Sequence, residues 1–295
     1  MSDPLVYGVM LAYNQKEYTL ASLGSVLAME YANLRLCLVD NGSTDGTAGD
    51  VHARYPDVTV VRTERNLGIA GGYNLGIEHA LAQGAEYALI MNNDIQVAPD
   101  MLAALLAVAQ ERGRAGVLMP KIFHFYGDQS RIWCAGARWR RFPPGVKLIG
   151  ADAADSPAWG KVVELEFAPS CVLLITRQAL SEAGSFDPQY FFYQSDWDFS
   201  ARMREKGYQI LFVPTARMWH KVSISTQKGD RPARYWFTMG SGSVAFYLRH
   251  SSPAVLVGSS IWFTVREAVR LKWAKVLPFW AGLVYGLARH WHWTD

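Results

Sequence analysis

The sequence of 295 residues has few cysteines and no cysteine cluster. Cys37, Cys134 and Cys171 are far apart and form neither a Cys-x-x-Cys motif nor a Cys/His group. A disulfide scaffold and a structural zinc site are therefore not predicted, and a reducing compartment is favoured. Half of the residues are hydrophobic and 19% are charged. This is the composition of a folded globular chain, and it excludes a disordered or collagen-like protein.

Long apolar segments and a leader are also missing from the sequence. Asp3 and Pro4 precede only a short apolar run, without a basic stretch, so no signal peptide is predicted. Two apolar runs near the C-terminus, 254–264 and 276–288, are shorter than the roughly 20 residues that a membrane-spanning helix requires. No internal repeat, low-complexity tract or nucleic-acid motif occurs, and no nucleic-acid partner is expected.

Charge is divided unevenly along the chain. Residues 1–220 contain 19 Lys and Arg against 23 Asp and Glu, whereas residues 221–295 contain 10 against 3, together with six of the 11 tryptophans. A basic, Trp-rich helical extension over 221–295 is typical of a segment that lies in a membrane interface. The alternative is an ordinary helical cap that packs on the rest of the chain or on a second copy in a homodimer.

The first 115 residues alternate between strand and helix signals. Strands are predicted at 7–12, 34–39, 58–62 and 87–91, and helices at 18–29, 46–55, 71–83 and 99–112. This alternation predicts the α/β class, with a mostly parallel central sheet flanked by helices. Ligands of such sheets bind outside the carboxyl ends of the strands.

The pattern becomes irregular after Gly116. Strands are predicted at 162–167, 172–176 and 209–213, with a helix over 195–206 that ends at Gly207. The segment 139–161 is rich in Arg, Pro and small residues, and it is predicted to be a loop over the site.

Three polar segments follow three of the predicted strands. They are Ala12-Tyr13-Asn14, the turn 40–46 and Asn92-Asn93-Asp94. The carboxylate of Asp40 can accept hydrogen bonds from a base or a ribose, and that of Asp94 can bind a hard divalent cation. The Gly- and Asn-rich segment 66–76 is suited to an anionic or hydroxylated ligand, but it lacks the Gly-x-Gly-x-x-Gly order of a dinucleotide site.

Taken in order, these motifs resemble the family 2 inverting glycosyltransferases of GT-A fold. The resemblance covers roughly residues 5–220 and is strongest for the rhamnosyltransferase-like branch that builds surface polysaccharides. It is carried by Ala-Tyr-Asn at 12–14, Val-Asp-Asn-Gly-Ser-Thr-Asp-Gly-Thr at 39–47, Asn-Leu-Gly-x-Ala-Gly-Gly-x-Asn-x-Gly at 66–76, Asn-Asn-Asp at 92–94, Gly-Ser-Phe-Asp-Pro at 184–188, Phe-Phe-Tyr at 191–193, Asp-Trp-Asp at 196–198 and Trp-His at 219–220.

The resemblance implies a role for each matching position. Asp196 would be the catalytic base, and Asp94 with His220 would hold Mg²⁺ or Mn²⁺. Trp197 and Asp198 are candidate contacts of the acceptor. The residues implied in binding the nucleotide-sugar are Ala12, Tyr13, Asn14, Asp40, Asn66, Gly68, Gly71, Asn74, Asn92 and Asn93.

Two positions depart from the family pattern. Asn92 replaces the first carboxylate of the Asp-x-Asp triplet, and Ser195 stands where a Glu usually precedes the base. A catalytically degenerate protein that binds sugar nucleotides or serves as a scaffold is therefore the alternative to an enzyme. A nucleotidyltransferase is disfavoured, because residues 10–16 contain no Gly-rich phosphate loop.

The resemblance thus implies a catalytic domain at 1–220, with a nucleotide-sugar-binding half (1–115) and an acceptor-binding half (116–220), followed by the extension 221–295. The expected reaction transfers a sugar, rhamnose by preference, from a dTDP- or UDP-linked donor to a glycan or lipid-linked glycan acceptor. The expected location is cytoplasmic, at the inner face of the cytoplasmic membrane.

Overall fold

The structure is a computed structural model that describes residues 3–221 and 231–291, with side chains described up to residue 289. Four strands and four helices alternate in the first part of the chain. The strands are β1 (Val6–Ala12), β2 (Leu34–Asp40), β3 (Thr59–Arg62) and β4 (Tyr87–Asn92). The helices are α1 (Lys16–Leu27), α2 (Thr47–Arg54), α3 (Gly68–Ala82) and α4 (Met101–Glu111).

Further strands of 2 to 12 residues and two further helices follow. The strands are β5 (Ile95–Val97), β6 (Ala115–His124), β7 (Arg131–Cys134), β8 (Ala137–Arg140), β9 (Gly145–Leu148), β10 (Ala153–Ala154), β11 (Val163–Glu164), β12 (Val172–Thr176) and β13 (Gln209–His220). A 3₁₀ turn covers Pro157–Trp159, and the helices are α5 (Arg177–Ala183) and α6 (Ser195–Glu205). Three helices complete the described chain: α7 (Ala233–His250), α8 (Pro253–Val269) and α9 (Trp273–Trp291).

The α/β class is confirmed, but the central sheet is mixed. Its order is β10-β7-β6-β12-β4-β1-β2-β3, and β13 joins β6, β5 and β11. The block β3-β2-β1-β4 is parallel, as predicted, whereas β12 runs antiparallel to both β4 and β6. The prediction of a mostly parallel sheet therefore holds only for the first four strands.

The parallel block aligns the strand ends that carry polar residues. Ala12 of β1 pairs with Asp40 of β2, and Leu11 pairs with Asn92 of β4. Neighbouring strands lie about 4.8 Å apart, so the ends of β1, β2 and β4 lie side by side at the carboxyl edge of the sheet. The buried apolar faces of the strands and of α1, α3 and α4 form the core beneath this edge.

The long strand β6 was not predicted from the sequence. Pro120 and the buried Lys121 interrupt its apolar pattern, and the Nζ of Lys121 lies 2.7 Å from the Oδ1 of Asp155. A charge inside a strand is accommodated here because a second segment supplies its partner.

The prediction of a loop over residues 139–161 was wrong. The segment contains regular strands: β8 and β9 form a hairpin, and β10 pairs with β7. The ring of Trp139 stacks on Phe246 of α7 at a centroid distance of 5.4 Å. The hairpin therefore packs on the C-terminal helices, and Trp139 packs against a separate apolar cluster that contains Phe167, Tyr190 and Phe246.

The helical nature of the extension is confirmed, and its helices are longer than the apolar runs. Helix α7 was not predicted at all, because Gly, Ser and Thr interrupt its apolar periodicity. Among residues 3–221 and 231–291, no helix is long and apolar enough to cross a membrane. The predicted boundary near residue 220 remains a prediction.

The close packing of α3 on the sheet can be tested at Gly76. A Cβ there would lie 2.1 Å from the Cγ1 of Val9 and 3.0 Å from the Cγ2 of Val39. We expect Gly76→Ala to lower the free energy of unfolding by about 1–3 kcal/mol in urea titrations, because the helix must move off the sheet. Gly49→Ala in α2, where a Cβ meets open space, is the matched control, and we expect it to raise stability by up to about 1 kcal/mol. Equal effects of both substitutions would contradict this packing.

Candidate active site at the strand ends

The turn after β2 holds Asp40 with one carboxylate oxygen free of hydrogen bonds. Asp40 is buried, and its Oδ1 accepts a 2.9 Å hydrogen bond from the N–H of Ser43. Its Oδ2 has no hydrogen-bond partner, and the Nε of Arg62 lies 3.5 Å away. A cavity of about 330 Å³ between 42–44 and 62–64 borders this turn. A buried acceptor without a partner is costly, so this oxygen is suited to a ligand N–H or hydroxyl.

The end of β1 shapes that turn. The carbonyl of Ala12 accepts a 2.8 Å hydrogen bond from the N–H of Asn41. Asn14 adopts a left-handed conformation (φ 56°), donates its N–H to the Oγ of Ser43 and accepts from the N–H of Thr44. Tyr13 is 49% exposed, so it alone of the three predicted residues presents a largely open side chain.

Asn41 ties the turn to the start of α3, although the sequence did not single it out. Its Nδ2 donates to the Oδ1 of Asn66 (3.1 Å) and to the carbonyl of Gly68 (3.0 Å), while its Oδ1 accepts from the N–H of Leu67. Asn66 in turn accepts from the N–H of Gly68. The predicted residues Asn66 and Gly68 therefore lie against the turn that holds Asp40.

The start of α3 also holds the segment that leads to Asp196. Gly68 has a φ of +78°, and a Cβ there would lie 2.3 Å from the carbonyl oxygen of Phe191, which accepts from the N–H of Ile69. Asn74 uses both ends of its amide on the backbone of Phe186. Asn74 therefore fastens α3 to the segment around Phe186, and its contact with the ligand remains a prediction. Gly71 lies inside the helix, where an added Cβ would crowd Leu67.

The segment after β4 joins Asp94 to His220 at the end of β13. Asp94 is buried, and its Oδ1 lies 3.1 Å from the Nε2 of His220. Burial alone raises the pKa of Asp94, but the hydrogen bond and charge of His220 outweigh burial and hold this pKa below its usual value. The buried Nδ1 of His220 has no hydrogen-bond partner. Both groups are therefore arranged to bind a cation.

The side chains of Asn92 and Asn93, which precede Asp94, have different partners. The Nδ2 of Asn92 lies 3.5 Å from the Nε2 of His220, so Asn92 lies in the site. The side chain of Asn93 donates to the Oγ1 of Thr19 in α1. The amide nitrogen of Asn93 is thus used by the fold, and its contact with the nucleotide-sugar remains a prediction.

Asp196 occupies the first turn of α6 and is only partly exposed. Its carboxylate accepts hydrogen bonds from the N–H groups of Trp197 and Ser170. Burial outweighs these bonds and raises the pKa of Asp196 to about 6. The neighbouring Ser195 adds no charge beside this carboxylate. A carboxylate with a pKa near neutrality is suited to take up a proton.

Tyr73 connects Asp196 to the side of Asp94, and the sequence analysis missed its role. Its buried hydroxyl lies 2.8 Å from the Oδ1 of Asn92 and 3.0 Å from the carbonyl of Ser170, whose N–H holds Asp196. Burial is the main reason that the pKa of Tyr73 lies well above its usual value, and the charges of Asp94 and Asp196 add to it. The two carboxylates are thus close to one buried tyrosine.

Asp198 lies beneath the surface, and its predicted contact with the acceptor remains a prediction. Asp198 is fully buried, and its carboxylate lies 2.8 Å from the Nε of Arg202 and 2.8 Å from the Nε2 of His250 in α7. Burial alone raises the pKa of Asp198, but its bond to His250 and the charge of Arg202 lower this pKa below the usual value. Asp198 therefore ties α6 to α7. Trp197 is partly exposed and packs edge-on against Phe167, and its contact with the acceptor remains a prediction.

Comparisons with known proteins identify the family of this chain. Residues 9–155 match the family model "Glycosyl transferase family 2". An N-acetylglucosaminyl-diphospho-decaprenol L-rhamnosyltransferase of Mycobacterium tuberculosis is 27% identical over 77% of this chain and 78% of its own length. The galactofuranosyltransferase GlfT2 of Mycolicibacterium smegmatis is 25% identical over 77% of this chain and 37% of its own length.

Two solved glycosyltransferases share the fold. The mannosyltransferase PcManGT of Pyrobaculum calidifontis, solved with GDP-Man and Mn²⁺, has a TM-score of 0.59 and 18% identity over 97% of this chain and 76% of its own. GalNAc-T7, solved with UDP, GalNAc and Mn²⁺, has a TM-score of 0.62 and 17% identity over 82% of this chain and 50% of its own. The predicted GT-A fold is confirmed. The chain is a glycosyltransferase and belongs to glycosyl transferase family 2.

Proposed function

We propose that the protein transfers a sugar from a nucleoside-diphosphate sugar to a lipid-linked glycan by single displacement, with inversion at the anomeric carbon. One observation carries this proposal. Asp196 is a partly exposed carboxylate with a pKa raised to about 6. Hydrogen bonds through Ser170, Tyr73 and Asn92 link it to the Asp94–His220 pair. A base and, near it, a pair that can hold a leaving diphosphate are the two groups that such a displacement needs.

Asp196 takes the proton in this proposal. The acceptor hydroxyl oxygen forms a bond to the anomeric carbon, the bond from that carbon to the diphosphate oxygen breaks, and the hydroxyl proton moves to the carboxylate. The protein itself forms no covalent intermediate, so no activated nucleophile is required. The N–H groups of Trp197 and Ser170 fix the orientation of the carboxylate without neutralising it.

Asp94 and His220 fit the requirements of Mg²⁺ or Mn²⁺. The carboxylate is a preferred ligand of both ions, and the unpartnered Nδ1 shows that the imidazole is not fully used by the protein. Within the described residues, no group of three or more His, Cys, Asp or Glu side chains could hold a metal ion. The remaining ligands would be phosphate oxygens and water. When bound, the cation offsets the charge of the diphosphate.

The turn 40–46 would bind the nucleoside. The free Oδ2 of Asp40 accepts from a pyrimidine N–H or a ribose hydroxyl, and the exposed ring of Tyr13 lies at the end of the neighbouring strand. Asn41, Asn66 and Gly68 keep this turn attached to α3. The donor would therefore extend from this turn toward Asp94.

The relative from M. tuberculosis supports the choice of donor and acceptor. Its name describes transfer of L-rhamnose to an N-acetylglucosaminyl-diphospho-decaprenol. We propose dTDP-L-rhamnose as the donor and an amino sugar on a polyprenyl diphosphate as the acceptor class, at the inner face of the cytoplasmic membrane. The similarity to a galactofuranosyltransferase makes a UDP-linked sugar the competing donor.

The donor can be identified by thermal shift. We expect dTDP-L-rhamnose with Mn²⁺ to raise the melting temperature more than UDP-linked sugars at equal concentration, because a ligand that binds only the folded state stabilises it. A larger shift with UDP-galactofuranose would assign the donor to the other class.

The base can be tested with Asp196→Asn. We expect the rate of rhamnosyl transfer to N-acetylglucosaminyl-diphospho-decaprenol to fall by about 10²–10⁴-fold, with the affinity for dTDP unchanged. The rate of the unsubstituted enzyme should rise with pH as the carboxyl ionises around pH 6.

Stability distinguishes loss of the base from loss of the fold. The pKa of Asp196 is higher in the folded chain than in the unfolded chain, so ionisation costs stability as pH rises through about 4 to 6. Asp196→Asn should therefore be more stable than the unsubstituted protein by up to about 3 kcal/mol at pH 8, with little difference at pH 4. Full transfer activity in this variant would remove Asp196 as the base.

The cation pair can be tested by calorimetry of dTDP binding. With Mn²⁺ present, Asp94→Asn and His220→Gln should each weaken dTDP binding about tenfold or more. The increase in dTDP affinity that Mn²⁺ gives the unsubstituted protein should disappear in both variants. Asp100→Asn, an exposed carboxylate at the start of α4, is the control and should keep that gain. Unchanged Mn²⁺ dependence in Asp94→Asn would contradict the assignment.

A further inference from the structure

The outer face of α8 is apolar. Val257, Ile261, Val265 and Val269 lie four residues apart along the helix and are all at least half exposed. The opposite face of the helix carries the buried residues Leu256, Ser260, Phe263 and Glu267. A helix in water usually turns polar residues outward, but the outward face of α8 is apolar and the described chain does not cover it.

Helix α9 continues this exposed surface. Its outward residues recur at alternating spacings of four and three and are Trp273, Leu277, Trp280, Val284 and Leu287. The Nε1 of Trp280 donates a 2.8 Å hydrogen bond to the Oγ1 of Thr264 in α8, so the two exposed stripes adjoin. We call this surface, formed by the exposed apolar residues of α8 and α9, the outer face.

The β8–β9 hairpin extends the outer face. Phe142 at its tip is 81% exposed, and its ring lies 6.1 Å from that of Trp262 in α8. Pro144 of the same tip packs near Gly258. The adjacent Arg141 is exposed. Three segments thus contribute apolar side chains to one side of the protein.

The charges beside the outer face are positive. Arg270 and Lys272 are exposed in the connection between α8 and α9, and Arg266 is exposed on α8. Between residues 231 and 291 the chain contains one acidic residue, Glu267. Glu267 is buried, its Oε1 lies 2.8 Å from the Nε of Arg266, and its Oε2 lies 3.5 Å from the Nζ of Lys275. No negative charge of this segment therefore opposes an anionic surface.

We propose that the outer face docks on the surface of an anionic lipid bilayer, with α8 and α9 lying in the interface plane. Apolar side chains flanked by Trp, Lys and Arg are the composition that such a surface binds. A contiguous exposed apolar surface marks an interaction site. A second copy of the chain is a poorer occupant, because two copies would bring like charges together.

This inference goes beyond the proposed function. It would hold for any acceptor, although a bilayer-docked enzyme meets a lipid-linked acceptor without extracting it from the membrane. Because docking is measured without donor or acceptor, its failure and the failure of the proposed reaction can be told apart.

The experiment is co-sedimentation of the full chain with vesicles. The probes are vesicles of phosphatidylcholine alone and vesicles that contain 30% phosphatidylglycerol. We expect binding to the anionic vesicles, and at least a tenfold loss of affinity for Val265→Ser/Leu277→Ser and for Arg270→Glu/Lys272→Glu. High salt should weaken binding of the unsubstituted protein.

Matched controls lie on exposed sites of the catalytic part. Leu27→Ser/Val163→Ser removes two other exposed apolar side chains of the same types, and Arg54→Glu/Arg112→Glu makes a charge change of the same size away from the outer face. Both should bind anionic vesicles as the unsubstituted protein does. Undiminished binding of Val265→Ser/Leu277→Ser would overturn the proposal. The proposal would also be overturned if the unsubstituted protein bound no vesicles and formed a stable dimer that Val265→Ser/Leu277→Ser abolished.

Discussion

The site depends on the parallel register of β1, β2 and β4. This register places Ala12 beside Asp40 and Leu11 beside Asn92, so that segments 80 residues apart in the chain begin at one edge. A shift of β4 by one residue would reverse the direction of every side chain in it and turn Asn92 away from His220. The buried apolar side chains of these strands prevent such a shift, because they would be moved out of the core. The packing of the apolar core therefore determines which polar side chains meet at the carboxyl edge of the sheet.

Two carboxylates of α6 show how position sets their roles. Asp198 receives a guanidinium and an imidazole, which lower its pKa, and it fastens α6 to α7. Asp196, half a turn earlier, receives only backbone N–H groups, and burial raises its pKa to about 6. Asp198 stabilises the fold. Asp196 keeps a raised pKa at a cost in stability, as is common for groups that perform catalysis. Because Asp198 fastens α6 to α7, it also holds Asp196 in position.

The sequence predicted the first four strands and their helices closely, because their apolar runs are uninterrupted and their polar residues fall at strand ends. It did not predict β6, where a buried Lys is neutralised by Asp155, or α7, where small residues hide the helical period. Asp40, Asp94, Asp196 and His220 were predicted from motifs, and their roles remain predictions. The contacts of Tyr73 and Asn41 were not predicted, since they depend on partners distant in the chain. The internal hydrogen bonds of Asn74, Asn93 and Asp198 were not predicted either, because residue type alone does not show where an amide or carboxylate points.

The central claim is that Asp94 and His220 hold a cation beside the donor, near Asp196. Anomalous diffraction from crystals soaked with Mn²⁺ and dTDP tests it most directly. The account predicts one strong Mn²⁺ peak within coordination distance of both the Asp94 carboxylate and the His220 imidazole, with the nucleoside at Asp40. A nucleotide bound away from Asp40, or a Mn²⁺ peak on other side chains with none at Asp94, would contradict it.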